Sequence, residues 1–271
     1  MAVTMDNALI EEAPEGGAAP EPGARDLYLR LLKRTLANVI YEDAPNTRAP
    51  FMRGEEFDLE RRTNGADWPR TAHTMIGLKR LDNLQYCVEE VLADGVPGDL
   101  IETGVWRGGA CILMRGVLAA HGVTDRRVWV ADSFEGMPDT EEAEHAVDRR
   151  MRLDRYNDVL AVPLDEVRAN FARYGLLDDR VGFLRGWFRD TLPTAPVDRL
   201  AVLRLDGDLY DSTTDALRYL YPKLSAGGFV IVDDYRIPSC REAVHDYRQA
   251  HGIEDEIVRI DRDSVFWRRT G

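Results

Sequence analysis

Four aspartates, placed in pairs after two short apolar runs, have the residue type and spacing of a divalent-cation site. Asp206 and Asp208 follow one run, and Asp233 and Asp234 follow the next run along the chain. Carboxylates that lie close together repel one another unless a positive charge compensates them. A hard divalent cation does this, and ligation by oxygen alone is typical of Mg²⁺ or Mn²⁺ rather than zinc. We therefore expect Asp206, Asp233 and Asp234 to form a metal site, with positions left for water and two substrate oxygens.

The alternative is that these aspartates cap helices or turns, where Asp is common. That explanation suits Asp211, because the run from Asp211 to Thr214 is typical of a helix start. For Asp206, Asp233 and Asp234 a metal is favoured, because two neighbouring strands would supply all three at one end of a sheet.

A second set of residues, at the ends of two earlier apolar runs, is typical of nucleoside binding. Glu102 lies at the end of the first run and Asp132 at the end of the second. An acidic side chain at such a place accepts hydrogen bonds from ribose hydroxyls. The glycines that begin at Gly104 are spaced G-x-x-x-G-G, unlike the G-x-G-x-x-G of dinucleotide-binding turns. Singly, each carboxylate is equally well explained as a strand end or a helix cap, but the matching pair favours nucleoside binding.

These residues must be positioned by strands that alternate with helices. Apolar runs predict buried strands over residues 99–103, 127–131, 181–184, 200–205 and 228–232. Apolar residues at helical spacing predict helices near residues 27–40, 78–92, 108–121, 167–174 and 216–224. Two final runs, 256–260 and 264–267, predict an antiparallel hairpin. The fold class is therefore α/β with a mostly parallel seven-stranded sheet, and its C-terminal hairpin resembles the class I methyltransferase (Rossmann-like) fold.

The rest of the chain is predicted to be one domain with an N-terminal extension. Residues 1–24 are rich in Ala, Pro, Glu and Gly and are expected to be a disordered tail. Within the single domain 25–271, residues 25–98 would supply extra helices and a lid, and 99–271 the Rossmann-like core. The stretch 43–76 is expected to be irregular, and long connections of this kind are often binding segments.

Charge and cysteine content narrow the classes of partner and compartment. The chain has 35 basic and 48 acidic residues, and its formal net charge of −13 disfavours nucleic acid and anionic membranes as partners. No apolar stretch has the length of a membrane span. The three cysteines form no C-x-x-C pair, which disfavours a disulfide framework or a zinc site and fits a reducing cytoplasm.

Several runs of residues together resemble the macrocin O-methyltransferase family, whose members methylate sugars on macrolides and aminocoumarin antibiotics. The resemblance extends from about residue 26 to the end of the chain, and its motifs are specific as a set. They occupy residues 72–77, 80–85, 102–109, 132–136, 206–210 and 233–235.

The resemblance implies an S-adenosylmethionine-dependent methyl transfer to a sugar hydroxyl of a small glycoside. It implies that Asp206, Asp233 and Asp234 bind Mg²⁺ (or Mn²⁺), that Asp208 is the general base, and that Ser212 lies near the acceptor. The segment 43–70 would be the acceptor lid, and a homo-oligomer is expected. The residues implied in cofactor binding are Thr74, Met75, Glu102, Thr103, Gly104, Val105, Trp106, Asp132, Ser133, Phe134, Glu135, Gly136, Gly186 and Trp187.

Three other functions fit these residues less well. A cation-dependent catechol or phenylpropanoid O-methyltransferase would use the same chemistry, but the run from His73 to Met75 and the long N-terminal segment favour a sugar acceptor. A nicotinamide oxidoreductase is disfavoured by the glycine spacing and the hairpin, and a non-catalytic nucleoside-binding module would have no use for the acidic cluster. Trp187 is alternatively a core residue, and a packed, hydrogen-bonded role is favoured for His73 over that of a base.

Overall fold

Seven strands form one sheet, and the carboxyl ends of its parallel strands define the edge where the predicted site residues lie. The computed structural model describes residues 22–48, 56–143 and 145–271. The strands are β1 (Asp99–Thr103), β2 (Val128–Asp132), β3 (Val181–Arg185), β4 (Leu200–Leu205), β5 (Leu224–Val232), β6 (Val258–Arg259) and β7 (Val265–Arg268). Their spatial order is β3-β2-β1-β4-β5-β7-β6, with β1 to β5 parallel and β7 antiparallel to both of its neighbours. The predicted fold class is confirmed.

Helices cover both faces of this sheet. They are α1 (Ala24–Leu36), α2 (Leu59–Thr63), α3 (Gly77–Ala93), α4 (Gly109–Ala120), α5 (Asn157–Leu160), α6 (Leu164–Arg173), α7 (Phe188–Thr191), α8 (Tyr210–Leu220) and α9 (Pro238–Ala250). In the described part of the chain, no helix is both long enough and apolar enough to cross a membrane.

Neighbouring residues of β1 and of β5 pack into two separate cores, one on each face of the sheet. On β1, Leu100 belongs to the core shared with α1, α3, α4 and α6, whereas Ile101 belongs to the core shared with α8 and α9. On β5, Ile231 and Val232 divide in the same way. Because parallel strands buried on both faces need apolar residues at nearly every position, they appear in the sequence as continuous apolar runs.

The register of the strands brings the predicted metal ligands side by side. Leu205 at the end of β4 pairs with Thr103 of β1 and with Val232 of β5. The next residues continue this pairing, because Asp206 N–H donates to Thr103 O and Asp233 N–H donates to Leu205 O, both at 2.9 Å. The two aspartates therefore leave the sheet at the same level.

A buried arginine joins several turns of the N-terminal segment. The Arg62 side chain is 0% exposed and donates to Asp67, at 2.8 Å from Nε to Oδ1, and to the carbonyls of Ala37 and Asp43. The Asp43 carboxylate in turn accepts the N–H groups of the 71–72 backbone. This cluster fixes the chain immediately before the predicted cofactor-contact residues 74–75.

Some sequence boundaries need correction. The fifth strand begins at Leu224 rather than at residue 228, and the hairpin strand predicted over 256–260 is limited to Val258–Arg259. The stretch 43–76, expected to be irregular, contains the short helix α2. Of the predicted 1–24 tail, residues 1–21 lie outside the described residues, and residue 24 already belongs to α1.

Candidate active site

A cavity of about 770 Å³ opens at the carboxyl ends of the parallel strands. Its wall includes ten of the predicted site residues, and no residue of the motifs 80–85 and 233–235 is among its described lining residues. These are Met75, Gly104, Trp106, Asp132, Ser133, Gly136, Trp187, Asp206, Asp208 and Ser212. Cavities of this size hold small organic ligands.

The turn after β1 requires a glycine at position 104. The φ angle of Gly104 is +87°, and a Cβ built on it would lie 1.9 Å from the backbone oxygen of Asp206. The β1 turn therefore lies directly against the start of the acidic loop after β4, and no side chain fits between them. The part of the cavity expected to bind the nucleoside is thereby joined to the part expected to bind the metal.

Asp132 organises the backbone around the cavity. Its carboxylate accepts the N–H groups of Val105 and Phe134, both at 2.7 Å. Burial raises the pKa of Asp132, and the hydrogen bonds from the backbone partly oppose that rise. The carboxylate therefore lines the cavity as a hydrogen-bonded group that holds the turns after β1 and β2 together.

Some predicted cofactor residues lie behind the cavity wall rather than on it. Glu102 is buried, with Oε1 paired to Arg204 and Oε2 accepting the Cys111 thiol at 2.9 Å. The Thr74 hydroxyl accepts Ile76 N–H at 3.3 Å. The remaining predicted residues that are absent from the described cavity wall are Thr103, Val105, Phe134, Glu135 and Gly186. Their cofactor contacts stay predictions.

Three carboxylates converge as predicted for a cation. One oxygen from each of Asp206, Asp233 and Asp234 lies within 4.8 Å of the others. Asp208 joins this group through its backbone, because its N–H donates to Asp234 Oδ2 at 3.2 Å. Asp208 has a φ of +57°, a left-handed conformation that Asp tolerates better than most residues.

Two carboxyl groups beside the proposed cation site, those of Asp208 and Asp234, bind protons more tightly than isolated carboxylates do. Burial, together with the neighbouring Asp206 and Asp233, raises the pKa of Asp208 to about 8. Burial and the charges of Asp208, Asp206 and Asp233 also raise the pKa of Asp234. At neutral pH Asp208 therefore retains its proton when no cation compensates the neighbouring charge.

Two arginines beside the cluster were not assigned a role from the sequence. Arg204 lies inside β4, is 1% exposed, and contacts Glu102, Asp206 and Asp233. Arg80 of α3 contacts Asp233 at 2.5 Å. An arginine within an otherwise apolar strand was the available signal for the first, since such a charge is retained only with partners.

The segment between β2 and α6 forms a wall that the sequence analysis did not assign. Met137, Pro138, Asp139, Ala143, Asp148 and Leu160 of this segment line the cavity. By contrast, residues 49–55 of the predicted 43–70 lid lie outside the described residues, and none of its described residues lines the cavity.

The interpretation of Asp211 as a helix cap was wrong. Helix α8 begins at Tyr210, so Asp211 lies in its first turn. The carboxylate that accepts the N–H groups of Tyr210 and Asp211 belongs to Asp148, 62 residues earlier in the chain. A local sequence pattern could not indicate this partner, because the contact is made by tertiary structure.

Two alternatives can be assessed from the contacts. The His73 ring lies 2.8 Å from the Tyr174 hydroxyl, and burial with nearby arginines lowers the pKa of His73 to about 4. This environment matches the packed, hydrogen-bonded role that was favoured for His73. Trp187 lines the cavity at the start of α7, which places it at the surface of the site.

Comparison with known proteins identifies the family. The macrocin-O-methyltransferase (TylF) family model matches residues 25–269. The chain is similar to the 8-demethyl-8-(2,3-dimethoxy-alpha-L-rhamnosyl)-tetracenomycin-C 4'-O-methyltransferase of Streptomyces olivaceus. The two sequences are 68% identical over 247 aligned residues, which are 91% of this chain and 94% of that enzyme. The chain is also 59% identical over 254 residues to the mycinamicin III 3''-O-methyltransferase of Micromonospora griseorubida, and this alignment covers 93% of this chain and 99% of that enzyme.

Solved structures agree with this assignment. The O-methyltransferase NovP superposes with a TM-score of 0.88 at 58% identity, covering 91% of this chain and all of that one. A calicheamicin methyltransferase with 20% identity gives a TM-score of 0.55 and shares the fold. The chain therefore belongs to the macrocin O-methyltransferase family and is an O-methyltransferase.

Proposed function

We propose that this enzyme transfers the methyl group of S-adenosylmethionine to a sugar hydroxyl of a glycosylated natural product in antibiotic biosynthesis. The observation that carries the proposal is that Asp206 and Asp208 line the same cavity as Asp132 and Trp106. Asp233 and Asp234 converge on Asp206 beside that cavity. The tetracenomycin relative named above supports a sugar acceptor, since its name specifies 4'-O-methylation of a compound that carries a rhamnosyl group. The name of the mycinamicin relative also specifies O-methylation at a numbered position.

The cavity suits a nucleoside-bearing methyl donor. Asp132 offers an acidic side chain at the end of β2, and Trp106, Trp187 and Met75 supply apolar and aromatic surface. Ribose hydroxyls are recognised by acidic groups in this position, and planar bases pack on aromatic faces. We therefore place the donor between the β1 and β2 turns, with its methyl group towards Asp208.

The acidic cluster suits a hard divalent cation, Mg²⁺ or Mn²⁺. Its three carboxylate oxygens have the chemistry of such a site. Burial raises the pKa of Asp208 and of Asp234, and the neighbouring carboxylates raise it further, which is negative charge that a cation would compensate. When bound, the cation would supply a positive charge that acidifies and orients the sugar hydroxyl, and S-adenosylmethionine would supply the methyl group.

The residues of the chain then orient the acceptor and accept its proton. Asp208 takes the proton of the sugar hydroxyl as the oxygen–methyl bond forms and the methyl–sulfur bond breaks. Ser212, two residues into α8, lies on the cavity wall where the sugar would approach. Holding the hydroxyl in line with the methyl group supplies much of the rate through orientation.

We also propose a cytoplasmic location and a homo-oligomer. All three cysteines are buried and none forms a disulfide, as expected in a reducing compartment. Leu27, Tyr28 and Leu31 expose apolar surface along α1, which a second subunit would cover. Sedimentation velocity would test the assembly, and a monomer across the micromolar range would refute it.

The function is tested by incubating the enzyme with S-adenosylmethionine and Mg²⁺ against two acceptor sets, deoxysugar glycosides and catechols. Mass spectrometry of the products and formation of S-adenosylhomocysteine report methyl transfer. We expect a mass increase of one methyl group on a glycoside, and its loss on addition of excess chelator. Methylation of catechols alone would refute the sugar acceptor, and full activity in chelator would refute the cation.

A further inference from the structure

Both oxygens of the Asp233 carboxylate are held by guanidinium groups from two different elements. Arg80 Nη1 of α3 lies 2.5 Å from Oδ2, and Arg204 Nη2 of β4 pairs with Oδ1. Arg80 is 7% exposed and Asp233 is 4% exposed. The Asp233 backbone oxygen also accepts the Ser264 hydroxyl at 2.5 Å. The Asp233 carboxylate therefore has little freedom to rotate.

Arg80 is itself anchored by a second carboxylate, on the side away from Asp233. Arg80 Nε donates to Asp261 Oδ2 at 2.7 Å, and Asp261 Oδ1 accepts the N–H groups of Asp263 and Ser264 in the turn between β6 and β7. Helix α3, the hairpin turn and the end of β5 are thereby joined through one guanidinium. A planar fork that satisfies two carboxylates at fixed angles is a role for arginine that lysine does not reproduce.

We propose that Arg80, together with Arg204, is a positioning residue that fixes the direction of Asp233 and so gives the cation site its preference for Mg²⁺ over Ca²⁺. The inference rests on the proposed cation site. Mg²⁺ requires nearly ideal octahedral geometry, whereas Ca²⁺ accepts irregular and variable coordination. A carboxylate locked by Arg80 favours the smaller and more demanding ion, and a loosened one removes that advantage.

A purely electrostatic role for Arg80 predicts a different result. Removing a positive charge beside the cluster strengthens the attraction for every divalent cation alike, so Mg²⁺ and Ca²⁺ affinities would rise together. Replacing Arg80 by Lys keeps the charge and removes the fork. If Arg80 acts through its charge alone, Arg80→Lys leaves the ratio of the Mg²⁺ and Ca²⁺ affinities unchanged. If Arg80 acts by orienting Asp233, Arg80→Lys lowers that ratio.

The experiment is calorimetric titration of the ligand-free full-length enzyme with MgCl₂ and, separately, with CaCl₂. In Arg80→Lys we expect Mg²⁺ affinity to fall by about 10- to 100-fold, the usual effect of losing a residue that orients a metal ligand. We expect Ca²⁺ affinity to change less, so that the Mg²⁺/Ca²⁺ ratio falls. An unchanged ratio overturns the inference, and a wild-type enzyme that binds neither cation overturns both it and the proposed cation site.

Two further variants keep the test valid if Arg80→Lys does not fold. Asp261→Asn retains the oxygen that binds the hairpin backbone but weakens the anchor of Arg80, and a smaller fall in the same ratio is expected. Arg115→Lys is the matched control, because Arg115 pairs with Asp178 at 2.5 Å between α4 and the turn before β3. A fall in the ratio for Arg115→Lys as large as that for Arg80→Lys would also overturn the inference.

Discussion

The carboxylate of Asp148 accepts the backbone N–H of Tyr210 at 2.7 Å, and through this contact the segment between β2 and α6 is attached to the start of α8. Its second oxygen accepts Asp211 N–H at 3.0 Å. The two helix donors that would otherwise lack a partner are satisfied by a residue distant in sequence. The contact therefore fixes the loop that carries Asp208 against the wall of the cavity.

Replacing Asp148 by Ala should weaken acceptor use. Two backbone N–H groups would lose their partner, at a cost of about 1–3 kcal/mol each where water cannot replace it, and the loop after β4 would move. We expect KM for the glycoside to rise and kcat to fall, with S-adenosylmethionine affinity nearly unchanged. Steady-state kinetics and donor titration measure this, with Asp158→Asn on the same segment as the control. Equal kinetics in both variants would contradict the role assigned to Asp148.

Replacing Asp208 by Asn should remove the proton acceptor while preserving the shape of the loop. Asn tolerates the left-handed backbone of position 208 as Asp does. Loss of a general base lowers kcat by about 10²- to 10⁴-fold, and binding of S-adenosylmethionine should be unaffected. Wild-type turnover in Asp208→Asn would show that another group takes the proton.

Cation affinity should rise as the pH is raised towards about 8. Because the pKa of Asp208 is raised to about 8, the cation-free cluster holds a proton below that pH, and a cation must displace it. Protonation therefore weakens binding as the pH falls, and the affinity levels off above the pKa. Calorimetry at pH 7 in two buffers of different ionisation enthalpy should detect proton release. Binding without proton release would show that the cluster is already ionised.

Replacing Arg62 by Met should destabilise the fold strongly. It would leave Asp67 and Asp43 buried without their cation, and breaking a buried ion pair in this way costs about 3–5 kcal/mol. Urea unfolding should show the loss. Arg48→Met is the matched control, since the Arg48 side chain is 67% exposed in its pair with Asp158 and such pairs contribute about 0–1 kcal/mol. Similar midpoints for the two variants would contradict the role of Arg62.

The sheet and the residues at its strand ends could be predicted because their signals are local. Strand β4 occupies the residues 200–205 that its apolar run indicated, and Asp206 follows it in the structure as in the sequence. Since parallel strands end at one edge, the convergence of Asp206 with Asp233 and Asp234 followed from the order of the strands alone.

The part of the cavity wall that lies between β2 and α6 could not be predicted, because its position depends on distant partners. The segment 137–160 has no helical or strand periodicity and is held by contacts such as that from Asp148 to Tyr210. The contacts of Arg80 could not be predicted for the same reason. Arg80 belongs to the 80–85 motif, but its partners Asp233 and Asp261 lie over 150 residues away in the sequence. Tertiary contacts of this kind leave no pattern in the local sequence.

The left-handed backbone of Asp208 also restricts which enzymes can evolve from this one. Only Gly, Asn and Asp adopt that conformation readily, and Asp alone among them carries a carboxylate. A glutamate would bring the same acid on a longer arm but would strain the chain that holds it. Exchange of the proposed base for another residue type therefore requires the loop to be rebuilt first, so new acceptors are more readily gained by changing the cavity wall.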